Sequence, residues 1–500
     1  MGIHQRLRRH EGSPVDDIDR PGVELLPPLP IAQKSIDLSR ALPLSFSVIP
    51  WNEIKDDNPH INAYIRYVKP MLDNVFVPHH TRWRSATFQE WPSLYELPFT
   101  WSITPNFPRL QQFSFTDSSS GATDPKPPED PFAQGVIHVL KNAPVLRHLD
   151  VQLYGTDEHF DNWTPEDTCH RIATAIPWER LTTLSLFLGY MSVPESLRLF
   201  IGQCPNLESL ILPILKDPFD TAAPGNWTTP IIQHSRLQEL TFIEPEHPCC
   251  TKAPNLLTLP KLQSLVLPSG PCSFMGTSGR GPLIKAVMDL VERSSCQLRR
   301  LHYSTRLLAG RYHSEPELTL VLLQALSSSL EELEMDMRCV KPFTTELTVP
   351  TRAKQVFCPH LKKIAWRVGK QPDLLAIVDM IQSRQRSASS AYLDGVAKLQ
   401  TVSITFSMKK PKEGDALDAL WDPMNPPNLQ EPIKRLQALA EQANFADESS
   451  LINPWPQMIR IASQVCESYP ETRENGEYVY LDTTLSHPDM VRFYPSPTRF

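Results

Sequence analysis

An α/β solenoid, with parallel strands on its inner face and helices outside, is the fold that the sequence predicts. One short phrase recurs along the chain: an apolar residue, two variable residues, an apolar residue, one variable residue and a last apolar residue. Its ten copies begin at Leu110, Leu146, Leu181, Leu207, Leu237, Leu262, Leu298, Leu330, Leu361 and Leu399. Segments with helical spacing separate several copies, and an alternation of strands and helices is typical of a parallel sheet.

The end of the phrase predicts a short β-strand. Its last three residues alternate between apolar and variable, so two side chains point into a core and the one between them points away. In the copy at Leu330 we therefore expect Leu330, Leu333 and Met335 to be buried, while Glu332 and Glu334 share the opposite face. A single copy has too few apolar residues to form a core, so neighbouring copies must stack.

The segments between the strands predict amphipathic helices. Leu283, Val287 and Leu290, for example, recur at the spacing of one helix face. The copies lie about 32 residues apart on average, with single intervals from 25 to 38 residues, which leaves room for a helix and two loops. We predict helices over Phe132–Asn142, Glu195–Gly202, Leu283–Arg293 and Pro316–Ser327.

Five segments follow from this pattern. We expect residues 1–40 to be a disordered, proline-rich segment, residues 41–106 to cap the start of the solenoid, and residues 107–408 to form the irregular repeats. Residues 409–465, with predicted helices over Asp415–Trp421 and Glu431–Asn444, should cap the other end, because a solenoid otherwise exposes its core there. Residues 466–500 are predicted to be a flexible tail.

Composition and charge exclude several classes of function. The net charge of −7 argues against a nucleic-acid-binding protein, which would carry a basic face. The longest apolar stretch, near Leu318–Leu326, is too short to span a membrane. The first 20 residues lack the apolar centre of a signal peptide, and the nine scattered cysteines fit reduced thiols. We therefore expect a cytoplasmic or nuclear protein.

Catalytic and cofactor motifs are weak. The segment Gly276–Gly281 precedes a predicted helix and contains an arginine, as an anion site does, but it lacks the Lys-Ser/Thr pair of a phosphate-binding loop. Cys169-His170 and Cys249-Cys250 lack the paired spacing of a zinc site. We interpret all three as structural, and we expect no enzymatic activity, no cofactor and no metal.

The repeats resemble those of the leucine-rich-repeat family, in its long and irregular intracellular form. The phrases Cys204–Leu207 and Cys358–Leu361 are similar to the Cys-Pro-x-Leu sequence that precedes strands in F-box leucine-rich-repeat proteins. Upstream, Leu42–Val48 and His80–Ser85 resemble the segment that follows the F-box in fungal members. The resemblance covers about residues 41–408 and implies a horseshoe with the parallel strands on its concave face.

The resemblance also implies a function: the substrate-recognition part of an F-box ubiquitin-ligase receptor, with cullin-type ligase subunits as further partners. We expect the F-box itself, a helical module, to be missing, because five prolines between Pro14 and Pro30 oppose a helix bundle there. Docking to a ligase is therefore in question. The alternative is a leucine-rich-repeat scaffold unrelated to ubiquitination.

In such repeats the variable strand residues form the concave surface, where we expect a protein partner and neither a nucleic acid nor a membrane to bind. The apolar members should form a patch in its middle, and patches of this kind mark binding sites. Rows of alternating charge should follow, partly neutralising one another. The predicted binding residues are Ile211, Ile243, Val266, Arg300, His302, Glu332, Glu334, Asp336, Lys363 and Arg367.

Overall fold

In a computed structural model, parallel strands pair in chain order within each of two α/β units, Met1–Leu237 and Gln238–Phe500. The described residues are 29–48, 72–91, 106–117, 131–153, 171–187, 193–212, 231–242, 253–267, 280–304, 315–337, 341–349, 356–368, 373–388, 396–409, 434–435, 458–466, 484–486 and 491–493. Of the helices within these ranges, none combines the length and the apolar character that crossing a membrane requires.

In the first unit, six strands pair in chain order and all run parallel. They are β1 (Leu44–Val48), β2 (Trp83–Trp91), β3 (Gln112–Asp117), β4 (His148–Leu153), β5 (Thr183–Phe187) and β6 (Ser209–Leu212), followed by the short β7 (Ile232–Gln233). Its helices include α1 (Leu29–Ser39), α2 (Pro131–Asn142) and α3 (Val193–Gln203). Residues 171–175 are helical as well. The unit also contains a π-helix (Leu72–Phe76) and two 3-10 helices (Val77–Arg82 and Trp178–Arg180).

In the second unit, seven strands pair in parallel, in the order β8, β10, β11, β12, β13, β14, β15. These strands, with the short β9, are β8 (Glu239–Phe242), β9 (Leu257–Thr258), β10 (Ser264–Leu267), β11 (Arg300–Ser304), β12 (Glu332–Met337), β13 (Lys363–Val368), β14 (Thr401–Lys409) and β15 (Met458–Cys466). Two antiparallel strands, β16 (Thr484–Ser486) and β17 (Val491–Phe493), pair with β15.

The helices of the second unit are α4 (Arg280–Ser294), α5 (Glu315–Leu326), α6 (Lys341–Leu347) and α7 (Leu374–Ala388), with a 3-10 helix at Ala253–Leu256. Each α-helix packs against the next one along the chain. The four predicted helices correspond to α2, α3, α4 and α5, with ends that differ by at most three residues.

The core follows the repeated phrase. The first leucine of every copy is at most 1 % exposed, as are the two later apolar residues in most copies. In β12, Leu333 and Met335 are buried and Glu332 and Glu334 are partly exposed, so the predicted strand register is confirmed. Cys204 and Cys358 are also buried, and burial raises the pKa of their thiols to about 12 and about 11.

A repeated backbone contact explains why the phrase recurs. The carbonyl of its first variable residue accepts hydrogen bonds from two consecutive N–H groups of the next copy. Arg299 O, for example, accepts from Glu331 N at 2.8 Å and Glu332 N at 2.9 Å. The carbonyls of Gln111, Arg147, Thr182, Gln238, Gln263, Glu331 and Lys362 do the same. The register of each strand is therefore set at its first residue.

The structure differs from the predicted segments at both ends. Helix α1 occupies part of the segment predicted to be disordered. Pro30 lies in its first turn, where the missing N–H breaks no hydrogen bond, and Ala32 and Ile36 are buried one turn apart. Strand β15 lies where a helical cap was predicted, and its alternating apolar residues Ile459 and Ile461 continue the rows of Val402 and Ile404. The strands β16 and β17 fall within the predicted tail.

Several predictions lie outside the described residues. They are the predicted helix over Asp415–Trp421, the predicted helix over Glu431–Asn444 except residues 434–435, and the three weak motifs at Cys169-His170, Cys249-Cys250 and residues 276–279. Residues 1–28 and most of the predicted tail are outside as well.

Candidate functional site

Charged side chains on three neighbouring strands form the candidate site. The parallel register aligns Arg300 with Glu332 and Lys363 in one row across β11, β12 and β13. A second row aligns His302 with Glu334 and Ala365. We call the side chains of Arg300, His302, Glu332, Glu334, Lys363 and Arg367 the charged ladder.

Opposite charges pair within the ladder. Lys363 Nζ lies 2.7 Å from Glu332 Oε1 on the adjacent strand. Arg367 Nη2 lies 3.4 Å from Glu334 Oε1, which it reaches diagonally. The predicted self-neutralisation of the acidic residues by cations of the following strand is therefore observed.

Arg300 pairs differently from the expectation. Its Nη2 donates to Glu239 Oε1 at 2.8 Å, two strands away, and not to Glu332. Ser264 lies between the two on β10, and its short side chain leaves the path open. Glu332 already forms an ion pair with Lys363, so a second cation would neutralise little additional charge.

His302 is the least satisfied member of the ladder. Its Nε2 is buried and makes no hydrogen bond among the described residues, and it lies 3.9 Å from Glu334 Oε1. A buried polar atom without a partner carries a free-energy penalty that a bound donor or acceptor would remove.

A parallel row of charge runs along the start of the same strands. Glu331 Oε2 accepts a hydrogen bond from Lys362 Nζ at 2.7 Å, and Glu331 Oε1 lies 3.7 Å from Arg299 Nη1. The hydrogen bond from Lys362 lowers the pKa of Glu331, with the charges of Lys362 and Arg299 adding to the effect. The site prediction did not include Arg299, Glu331 and Lys362. The signal for these three residues is the first variable position of each phrase, which lies beside the strand start.

The ladder does little to stabilise the fold. Its acidic side chains are 38 % exposed and its cations about half exposed. Pairs with this exposure each contribute only about 0–1 kcal/mol to stability, because water and salt screen them. The charges are thus held in place and remain accessible from solvent.

Asp336 and the predicted apolar patch are placed only in part. The backbone of Asp336 aligns with Arg367, but its side chain lies outside the described part of the molecule. Ile243 lies outside it altogether. Val266 is half-buried and stands between Thr241 and His302, and Ile211 aligns with Ser185. The register therefore gives Val266 and Ile211 polar neighbours within their own units.

The part of the chain that the structure describes contains no group of three His, Cys, Asp or Glu residues arranged to hold a metal ion. A scan against models of protein families finds no match to this chain, and a search of the curated proteins finds none.

Proposed function

We propose that this protein is a leucine-rich-repeat interaction module, with a horseshoe form, that binds a protein partner through the charged ladder. The observation that supports it is the ladder itself: accessible charges of both signs, aligned in rows by the parallel register. An ordered pattern of charge orients a charged partner and speeds its association more than it tightens binding.

The proposed partner carries a complementary pattern of charge. The basic groups nearest Glu334 within the described ranges lie 3.4 Å and 3.9 Å from its Oε1, so it can accept a closer cation. The exposed guanidinium of Arg300 carries N–H groups in a planar arrangement, and this arrangement suits a carboxylate. Within this proposal the module resembles the substrate-recognition part of an F-box ubiquitin-ligase receptor, and a scaffold unrelated to ubiquitination is the second candidate.

Charge reversal tests the ladder. The variant E332K/E334K should keep the melting temperature of the wild type, because both side chains are partly exposed, but it should lose partners that co-purify with the wild-type chain. The variant E317K/E346K, with the same two reversals at exposed positions of α5 and α6, is the matched control and should retain them. Quantitative mass spectrometry of the three pull-downs, at low and high salt, makes the comparison.

Partners that bind all three chains equally would contradict the use of the ladder, and a large drop in the melting temperature of E332K/E334K would contradict its accessibility. The same pull-downs separate the two candidate functions. Cullin-type ligase subunits should co-purify if the chain acts as a ubiquitin-ligase receptor, and they should be absent if it is a scaffold.

A further inference from the structure

A groove in the first unit is lined by charges of both signs, and no residue of the described ranges forms an ion pair with them. It has a volume of about 410 Å³ and lies beside the starts of β4, β5 and β6. Its charged lining consists of Arg147, Arg180, Arg236, Glu179 and Glu208. All five side chains belong to exposed residues.

Two of the arginines help to build the groove. Arg180 Nη1 donates a hydrogen bond to Pro144 O, and Arg236 Nη1 donates to Asn206 Oδ1. Asn206 Nδ2 in turn donates to Glu179 O at 2.7 Å. These bonds join successive turns before the strands, so the groove has a connected wall, and their acceptors are uncharged.

The charges of the groove are unpaired. Among the described residues, none of the five makes an ion pair within 4.0 Å, and the side chains of Arg147 and Glu208 make no hydrogen bond. The equivalent row in the second unit is different, because Glu331 there stands between Arg299 and Lys362 and contacts both.

The separation of Arg147 from Glu208 has a simple cause. Backbone hydrogen bonds link Arg147 to Thr182 and Thr182 to Glu208, so an uncharged residue stands between the cation and the anion. Two strand spacings put the backbones of Arg147 and Glu208 about 10 Å apart. Arg147 and Glu208 therefore stand on opposite walls of the groove with the hydroxyl of Thr182 between them, while Arg236, bound to Asn206, lies on the same side as Glu208.

We propose that this groove binds an extended peptide segment of a protein partner that carries one acidic and one basic side chain three residues apart. In a polyproline II conformation, residues three apart lie on the same side and are separated by about 9 Å, which matches the distance between the two walls. A carboxylate can form a bidentate pair with the guanidinium of Arg147, and an ammonium group can pair with Glu208. The proposal does not depend on the charged ladder or on the proposed family.

The mixed charge favours a peptide over other ligands. A nucleic-acid strand would bring phosphates against Glu179 and Glu208, which repel them, and such binding requires consistently basic surfaces. A single small anion would leave Glu208 without a counterpart.

Isothermal titration calorimetry with the full chain tests the proposal. The probes are three blocked peptides of equal length, containing Glu-Pro-Pro-Lys, Glu-Pro-Pro-Glu or Lys-Pro-Pro-Lys. The wild type should bind the first up to about fivefold more tightly than the others, the effect expected from one additional ion pair between exposed groups.

Charge reversal of each wall should change the preference in a defined way. R147E should prefer Lys-Pro-Pro-Lys, E208R should prefer Glu-Pro-Pro-Glu, and the double variant R147E/E208R should again prefer Glu-Pro-Pro-Lys, bound in the opposite direction. The matched controls K141E and E317R alter the net charge equally at exposed positions outside the groove and should behave as the wild type.

Circular dichroism melting curves should coincide for all variants, since every altered side chain belongs to an exposed residue. Absence of a preference for the mixed peptide in the wild type, or failure of the double variant to regain it, would overturn the proposal. Tighter binding of a single-stranded oligonucleotide than of any peptide would overturn it as well.

Discussion

Neighbouring residues of one strand differ sharply in what they contribute to stability. In β12, Leu333 is 1 % exposed and packs into the core, whereas Glu334 follows it on the opposite face. The alternation is a consequence of strand geometry, since successive side chains point to opposite sides of the sheet. Binding and folding can therefore be separated by substitutions one residue apart.

Substitution of Leu333 measures this difference. We expect L333A to lower the free energy of unfolding by about 2–5 kcal/mol, because it removes buried methyl groups and leaves a cavity. E334A, the control next to it, should change the free energy of unfolding by less than about 1 kcal/mol. Urea denaturation followed by circular dichroism gives both values, and equal losses would show that the strand register is wrong.

At the scale of the helices and strands, one buried and one partly buried arginine connect neighbouring repeats. Arg384 on α7 is fully buried, and burial lowers its pKa to about 10, which leaves it charged at neutral pH. Its Nε donates to Leu347 O at 2.9 Å, and its two Nη atoms donate to Cys358 O and Phe357 O. Arg293 on α4 donates similarly to Pro254 O and Leu257 O.

Loss of the three hydrogen bonds that the planar guanidinium fork of Arg384 donates should destabilise the protein. We expect R384M to lower the free energy of unfolding by about 2–5 kcal/mol, since three buried carbonyls lose their donor. R384K should also be destabilised, because an ammonium group cannot reproduce the planar fork. The control is R198M, on an exposed position of α3. Urea denaturation compares the variants, and a wild-type midpoint for R384K would contradict the role of the fork.

Many of the strands and helices can be predicted from the sequence alone. The recurring phrase predicts ten strands, β3 to β6, β8 and β10 to β14, because its alternation of apolar and variable residues is the geometry of a half-buried strand. The two-residue strands β7 and β9 lie outside the phrase. Helix α1 and strand β15 are harder to predict. The many prolines up to Pro30 argue against a helix in this region, although the short stretch after Pro30 contains none. The nine residues Met458–Cys466 lack the leucine phrase, so the pattern does not predict a strand there.

The two sites can likewise be predicted from the sequence only in part. The sequence predicts which residues form the charged ladder, since strand position decides it. It does not predict that Arg300 reaches Glu239, which depends on the size of Ser264, nor the groove at Arg147, which depends on how successive turns meet. The sequence does contain a signal for the burial of Arg384, because this residue lies on the same helix face as the buried Ile377 and Ile381.

At the scale of the whole molecule, the described strands of the main sheet of each unit pair only with their immediate neighbours in that sheet. Under the proposed solenoid, stability is a sum of the stabilities of the repeats and of the contacts between adjacent repeats. A local defect should then remain local.

Hydrogen exchange tests this locality. In L333A, amide exchange should accelerate most in β11, β12 and β13 and remain nearly unchanged in β3 and β4. Mass spectrometry of peptic fragments resolves these segments. An equal acceleration throughout the chain would show that the molecule unfolds as one cooperative body, contrary to the proposal.

At each strand start, the carbonyl that accepts hydrogen bonds from two N–H groups also determines where the chain can gain or lose residues during evolution. Register is established anew at each strand start, so insertions and deletions between strands are absorbed by the loops, and intervals from 25 to 38 residues coexist in one protein. A single residue added between the first leucine and its strand has the opposite effect, because it turns the apolar side chains outward. Lineages of this protein should therefore vary freely in their loops, while the six residues of each phrase keep a constant length.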